Sequence, residues 1–409
     1  MGGLSSPFFD TLDARVTEAR RAHGDIIDLS KGNPDLATPP ELVDALVRSV
    51  SDPANQGYPP FLARRGVREA VALRYREDHG VELDPDTQVT GFHGAHEALM
   101  AVPRALADPG DTMVVPDPGY PPYLDAARLA GVGVRRLPLR EEDGWLPRFG
   151  RADGDDGDGG SDDGSLLTGA RLLLLNYPNN PTGAVAGAAF WESAVGICGE
   201  AGVLLVNDLA YGSLDLDHAR AASALTATTP GGGSAHPAAS PSSMGVVEIG
   251  TVSKTYSMAG WRFGWAVGDA DAIGALQRYQ TVAYSVIFGA VQDAAEAALR
   301  GDQASARAIT AEYRARRDLM ARALSEAGWH VSRPAGTFFL WLRAPRGLDG
   351  EQVAERLVDQ ARVVVSPGAG FGEQGRDWVR LSLVQDRRTM KEAAGRLARW
   401  LDDVRERTA

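Results

Sequence analysis

Short apolar runs punctuate the chain, and the stretches between them carry helical spacing. The runs Thr112–Val115, Leu172–Leu175, Val203–Val206, Val246–Ile249 and Gly264–Val267 are each bounded by polar or turn-forming residues. Runs of this length predict strands buried on both faces. Helix-like sequence covers Gly187–Glu200, Ala270–Gln280 and Ser305–Ala327. Strands alternating with helices predict an α/β fold, a mostly parallel sheet with helices on both faces. Ligands of such sheets bind beyond the carboxyl ends of the strands. Asn176, Asp208 and Lys254 stand just after three of the runs, so their position alone invites a functional reading.

Two segments break the pattern. Asp153–Gly164 holds six Asp, five Gly and one Ser, half of the net charge. Such a segment buries too little apolar area to offset its ordering entropy, and a flexible surface loop is expected. Its spacing lacks the closing Glu of a calcium loop, so the bland reading is preferred and no metal is assigned. Ala221–Ser243 is rich in Ala, Ser, Thr, Gly and Pro and reads as a surface excursion.

Composition narrows the function classes. With 409 residues, the chain can hold a large domain and a smaller one. Its 42 Lys+Arg against 54 Asp+Glu give a net charge of −12. That balance argues against nucleic-acid binding, which needs a basic surface. No apolar run approaches the ~18–20 residues that span a bilayer, so no membrane segment is expected. No basic stretch leads into an apolar run, so no secretory signal is expected. The single cysteine, Cys198, rules out an intrachain disulfide framework and fits a cytoplasmic location.

Candidate chemistry concentrates in three blocks. In Thr251–Trp265, Lys254 follows a strand and is ringed by small residues. Partial desolvation there would lower its pKa and make it a nucleophile toward a carbonyl. Arg262, eight residues on, could pair with a phosphate. In Val203–Tyr211, Asp208 abuts a buried run, so it faces a cation or caps a helix; Tyr211 could sit beside it. Asn176-Tyr-Pro-Asn-Asn-Pro-Thr-Gly183 predicts a rigid, non-helical turn that holds an amide in one orientation.

Together these blocks resemble the class I/II aminotransferase family of fold-type I pyridoxal-phosphate enzymes, from about Leu29 to Leu383. The resemblance implies a large domain with a seven-stranded, mainly parallel sheet and a smaller α+β domain. The expected boundaries are 46–284 for the large domain, with 1–45 and 285–409 forming the small one. It implies pyridoxal 5'-phosphate as cofactor and an L-amino acid and a 2-oxo acid as substrates. Lys254 matches the lysine that forms the aldimine and shuttles the proton, and Asp208 the partner of the pyridinium nitrogen. Asn180 and Tyr211 match the hydrogen-bond partners of the phenolic oxygen. Arg262, Thr251 and the turn Gly94-Ala95-His96 match the phosphate site, and Tyr120 the ring-stacking aromatic. Arg380 matches the arginine that grips the substrate carboxylate, with Gly32 and Asn180 beside it. Tyr58 matches a tyrosine that reaches the neighbouring subunit's phosphate, which implies a homodimer with shared active sites. His93 and His96 depart from the small or hydroxyl residues usual in that turn. The same groups around the ring also serve elimination by a lyase, decarboxylation and oxidation, so transamination leads without being exclusive.

Overall fold

The computed structural model describes residues 8–149, 163–218, 220–227, 245–283, 285–332 and 334–408. Its strands are β1 (Ile27–Asp28), β2 (Val89–Phe92), β3 (Thr112–Asp117), β4 (Gly133–Pro138), β5 (Leu172–Leu175), β6 (Leu204–Asp208), β7 (Val246–Thr251), β8 (Gly264–Gly268), β9 (Val331–Ser332), β10 (Phe339–Arg343), β11 (Val363–Val364), β12 (Ser366–Pro367) and β13 (Trp378–Ser382). Its helices are α1 (Phe8–His23), α2 (Pro40–Val50), α3 (Arg65–His79), α4 (Ala95–Leu106), α5 (Pro122–Ala130), α6 (Ala188–Ala201), α7 (Val252–Thr255), α8 (Ala270–Ala283), α9 (Gly289–Arg300), α10 (Ala304–Glu326), α11 (Gly350–Arg356) and α12 (Arg387–Thr408).

Strand β5 shows why the main sheet forms. Side chains alternate across a strand. Leu172 and Leu174 enter a cluster with α4, α5 and α8, whereas Leu173 and Leu175 enter the opposite cluster with α6. A strand covered on both faces must be apolar at every position, and β5 is. The seven-stranded sheet has the order β2-β8-β7-β6-β5-β3-β4. Only β8 runs against its neighbours; the other pairings are parallel. The five predicted strands fall on β3, β5, β6, β7 and β8, and the three predicted helices on α6, α8 and α10. Strands β2 and β4 left no such signal. β2 is short and contains Gly91, and β4 is an edge strand that exposes Gly133, Val134 and Arg136.

Two expectations are corrected in part. Asp163, near the end of the acidic segment, is buried; its carboxylate accepts the Arg148 N–H at 2.9 Å. Residues 153–162 lie outside the described ones. The start of the second segment is no surface excursion either, since Ala221, Ser223, Ala224, Leu225 and Ala227 are buried. What pins it is Glu248 of β7, a fully buried carboxylate that accepts from Ser223 Oγ (2.7 Å), Ala224 N (2.7 Å) and Asn207 Nδ2 (2.8 Å). A buried carboxylate without such donors would be prohibitively costly. Residues 228–243 lie outside the described ones.

A second sheet has the order β12-β13-β10-β9, and β1 pairs in parallel with β11. Helices α10 and α12 cover these strands through Tyr313, Met320, Leu397 and Trp400, packed against Phe338, Leu340 and Leu381. Trp341 of β10 joins the two sheets. It is fully buried in the same cluster as Leu173 and Leu205, stacked on Trp378 at 5.8 Å and edge-on to Trp145 and Phe371. Replacing this indole should leave a cavity that neighbouring rings cannot fill. Trp341→Ala is therefore expected to cost about 3–5 kcal/mol, read as a lower denaturant midpoint; a loss below about 1 kcal/mol would contradict this packing.

Candidate active site

The carboxyl ends of β5, β6 and β7 open into a cavity of about 420 Å³. Each end delivers one block of the sequence. β6 ends on Asp208, β7 runs into α7 with Lys254, and the turn after β5 carries Asn176 and Asn180. From β13 of the second sheet comes Arg380, and from α5 and the segment before it come Tyr123 and Tyr120. Asn176 ties the floor together. Its Nδ2 donates to Asp208 O at 2.7 Å, and its Oδ1 accepts from Asn180 N at 2.9 Å.

Lys254 Nζ donates to Gly32 O at 3.0 Å. Enclosure by protein, then the cations Arg262 and Arg380, pull its pKa down to about 8, against the opposing pull of Asp208. The amine is thus still mostly protonated at neutral pH, but its neutral fraction is far larger than that of an ordinary lysine, as a nucleophile or base requires. Burial pushes Asp208 the other way, up to about 6. Two donors restrain that rise, the Tyr123 hydroxyl at 2.8 Å and the Ala210 N–H at 3.1 Å. Tyr211 lies edge-on to Phe338 and Phe339, and burial raises its phenol's pKa.

Arg380 is 1% exposed and has no carboxylate partner among the described residues. Its guanidinium donates to Asn180 Oδ1 (2.9 Å) and Ser30 O (2.8 Å), and lies 4.0 Å from the Phe339 ring centroid and 4.6 Å from that of Phe371. Its Nε has no partner. Burial draws its pKa down to about 10, still far enough above neutrality to keep the charge.

The opposite end of the cavity suits a phosphate. Helix α4 begins at Ala95, and Ala95 and His96 line the wall at its positive end. Gly94 caps that helix with φ +80°, and a Cβ there would sit 2.5 Å from Arg262. Arg262 is held by the carbonyls of Ala259 (2.8 Å) and His93 (3.0 Å). Gly264 on β8 is needed for close approach, since a Cβ would meet Ala95 N at 2.6 Å. His93 bonds Glu97, which raises its pKa; burial and Arg262 lower that of His96, which stays neutral near pH 7.

The structure gathers Lys254, Asp208, Tyr211, Asn180, Arg262, Thr251, Ala95, His96, Tyr120, Arg380 and Gly32 around this one cavity. Tyr58 lies outside its lining and is 86% exposed. Sequence reasoning passed over Tyr123 and Ser253. Tyr123 N donates to Tyr120 O at 3.1 Å in the turn that leads into α5, and the two rings lie edge-on with centroids 5.5 Å apart. Thr251 donates its hydroxyl to Phe263 O at 2.7 Å, so it accepts from Ser253 at 2.8 Å; turning the Ser253 proton toward an anion breaks only that side-chain contact, whereas turning the Thr251 proton breaks a bond to the main chain. The hydroxyl run Thr251-Val-Ser253 offered no way to choose between them.

An amine nucleophile, a carboxylate and an anion-binding helix end at the carboxyl edge of a parallel sheet define an enzyme that handles a carbonyl compound and an anionic group. Comparison narrows the class. The chain matches the profile of the family described as aminotransferase class I and II over residues 24–397. It is 39% identical to the L-glutamine–4-(methylsulfanyl)-2-oxobutanoate aminotransferase of Bacillus subtilis, with 97% of this chain and 94% of that one covered. It is 37% identical to the LL-diaminopimelate aminotransferase of Moorella thermoacetica, with 97% and 96% covered. The solved substrate-bound structure of BacF from Bacillus subtilis superposes with a TM-score of 0.86 at 36% identity, covering 98% and 96%. The chain belongs to the class I and II aminotransferase family and has its fold-type I architecture.

Two predictions follow from the electrostatics. In the cofactor-free protein, modification of Lys254 by an amine-specific reagent, followed by peptide mass spectrometry, should rise about tenfold per pH unit and level off near pH 8. A midpoint above 10 would contradict the desolvated amine. In Tyr123→Phe, Asp208 loses a donor that holds its pKa down. The acid limb of kcat/KM, which needs Asp208 ionised, should move to higher pH than in wild type; an unmoved limb would show that the hydroxyl does not tune Asp208.

Proposed function

We propose that this aminotransferase moves the amino group of an α-amino acid to a 2-oxo acid with pyridoxal 5'-phosphate as its cofactor. The observation that carries the reading is the buried, carboxylate-free guanidinium of Arg380 in the same cavity as a lysine amine lowered to about 8. The residues fit the cofactor. A ring with an aldehyde, a basic nitrogen, a phenolic oxygen and a phosphate needs one amine, one carboxylate, neutral donors and an anion site. Lys254, Asp208, Asn180 with Tyr211, and the α4 terminus with Arg262 and Ser253 supply them around a cavity of about 420 Å³. Bound pyridoxal phosphate supplies an electron-poor ring that takes up the electron pair left at Cα.

The chain's own groups do the rest. Arg380 grips the α-carboxylate through charge-assisted hydrogen bonds. Asn180 braces that arginine with its carbonyl and keeps its amide N–H groups for the ring oxygen. With the cofactor bound, the neutral amine of Lys254 would take up the proton from the substrate Cα and hold it for return, the electron pair passing to the ring. Asp208, buried and ionised, keeps a proton on the ring nitrogen, while Tyr123 orients it. Tyr120 walls one face. Packing of Arg380 on Phe339 and Phe371 keeps water from the guanidinium, which strengthens its hold on a carboxylate.

The names of the relatives support α-amino and 2-oxo acids as the substrate class, with side chains as different as an amide, a thioether and an amino acid head. We further assign residues 46–284 to a large body and 1–45 with 285–409 to a small one. In support, α10, α11, α12 and the second sheet share a core cluster that takes in no strand of the seven-stranded sheet, although α9 packs against α3. We also assign a homodimer in which Tyr58, exposed on its own chain, reaches the partner's phosphate site. A cytoplasmic location fits Cys198, whose thiol is buried and pushed up to about 12.

Single-turnover mixing of the cofactor-loaded protein with L-amino acids tests the reading. Conversion of the cofactor to its amine form, with one equivalent of 2-oxo acid, is expected. Steady release of ammonia or carbon dioxide instead would overturn it. Arg380→Met should lower kcat/KM by about 10²- to 10³-fold, chiefly through KM; an effect below about threefold would place the carboxylate elsewhere.

A further inference from the structure

Charge bookkeeping around the cavity leaves one pair without a role. The acidic side chains and the lysines and arginines lining it, among the described residues, are Asp13, Lys31, Asp208, Lys254, Arg262 and Arg380. Asp208, Lys254 and Arg262 serve the cofactor in the reading above, and Arg380 serves the α-carboxylate. Asp13 and Lys31 remain, and they face each other, Lys31 Nζ lying 2.9 Å from the Asp13 carboxylate. The chain contains only three lysines, Lys31, Lys254 and Lys391, among its 42 basic residues. Two of the three therefore line this cavity.

The backbone beside Lys31 already touches the reacting region. Ser30 O accepts from Arg380 Nη2 at 2.8 Å, and Gly32 O accepts from Lys254 Nζ at 3.0 Å. Lys31 sits between these two carbonyls, and its side chain reaches across to α1 instead. Helix α1 contributes Phe9, Leu12 and Asp13 to the lining, opposite Leu99 and His96 of α4. Phe9 of α1 and His96 of α4 both pack against the Tyr120 ring, with centroids 6.1 and 6.4 Å away, so α1 stands beside the ring-stacking tyrosine. A substrate held by Arg380 and Lys254 has its α-carboxylate and amino group accounted for, so this wall is left for its side chain.

We propose that the Asp13–Lys31 pair reads the far end of the substrate side chain and, by neutralising itself, selects side chains without net charge. A distal carboxylate would have to displace Asp13 from Lys31 and leave Asp13 beside it, a like-charge contact. A distal ammonium would meet the mirror-image penalty from Lys31. A neutral amide or thioether displaces nothing. The pair is half-exposed, with 46% and 61% of the two side chains accessible, so the discrimination it supplies is moderate and salt-sensitive. The proposal deepens the reading of the site as an aminotransferase and rests on it.

The test uses the cofactor-loaded full chain and three amino donors in single-turnover reactions: glutamate, its neutral isostere glutamine, and ornithine. Wild type should favour glutamine over both charged donors. Asp13→Asn frees Lys31, and the glutamate-to-glutamine ratio of kcat/KM should rise roughly three- to tenfold, mainly through KM. Lys31→Gln frees Asp13; that ratio should fall and the ornithine-to-glutamine ratio should rise by a similar factor. Added salt should shrink both shifts. Opposite movement of the two ratios supports the proposal, since general damage from either substitution would move all donors together. Ratios unchanged in both variants, or moved in the same direction, would overturn it. Equal conversion of all three donors by wild type would also overturn it, whereas failure of every L-amino acid to convert the cofactor to its amine form would overturn the aminotransferase reading, a different result.

Discussion

A cation without a counter-ion sits at the junction of the two sheets. Removing a guanidinium from water is expensive, and the usual remedy is a buried carboxylate against it. Arg380 has none among the described residues; it has an amide oxygen, a backbone carbonyl, a serine hydroxyl and two aromatic faces. These partners hold the group in place while leaving its charge uncancelled. Much of the surrounding structure exists to make that tolerable. β13 must carry Arg380 opposite Trp341 and Ser366 in register, so that the guanidinium emerges toward Asn180. The rings of Phe339 and Phe371 must flank it, and Ser30 must turn its carbonyl inward.

Uncancelled charge propagates to the other groups. Arg380 and Arg262 both push the Lys254 pKa down, adding to its desolvation. Asp208 opposes that pull and is itself driven up by burial, with Tyr123 and Ala210 restraining it. The amine is thus brought closer to neutrality, which suits a base that works near neutral pH, while the carboxylate stays low enough to remain ionised there. Asn176 and Asn180 make the mechanical link, because one turn braces both Asp208 and Arg380. Substitutions in that turn should therefore disturb two charged groups at once, and their effects should not be additive with changes at either.

Legibility in the sequence followed the physics of each element. β5 was plain, because burial on both faces forces four leucines in a row. Lys254 and Asp208 were plain, because each follows an apolar run, and Asn180 because it lies in the turn Asn176–Gly183; all three belong to blocks that resemble the family. β4 was hidden, since an edge strand needs no apolar run. The buried start of the Ala221–Ser243 segment was hidden too. Small residues read as a loop, yet small residues are what the crowded site around Glu248 admits. Ser253 could not be told from Thr251, since the difference is which hydroxyl Phe263 O engages. Tyr123 acts through Asp208, a long-range contact that local sequence does not encode.

The most direct test of the carboxylate-free arginine is a titration of hexanoate, a carboxylate with no amino group to react, into the pyridoxal-phosphate-loaded protein. Calorimetry would follow wild type and Arg380→Met in parallel. Saturable binding by wild type, lost in Arg380→Met and weakened by salt, is the predicted result. Equal binding by both proteins would contradict it and move the carboxylate site away from Arg380.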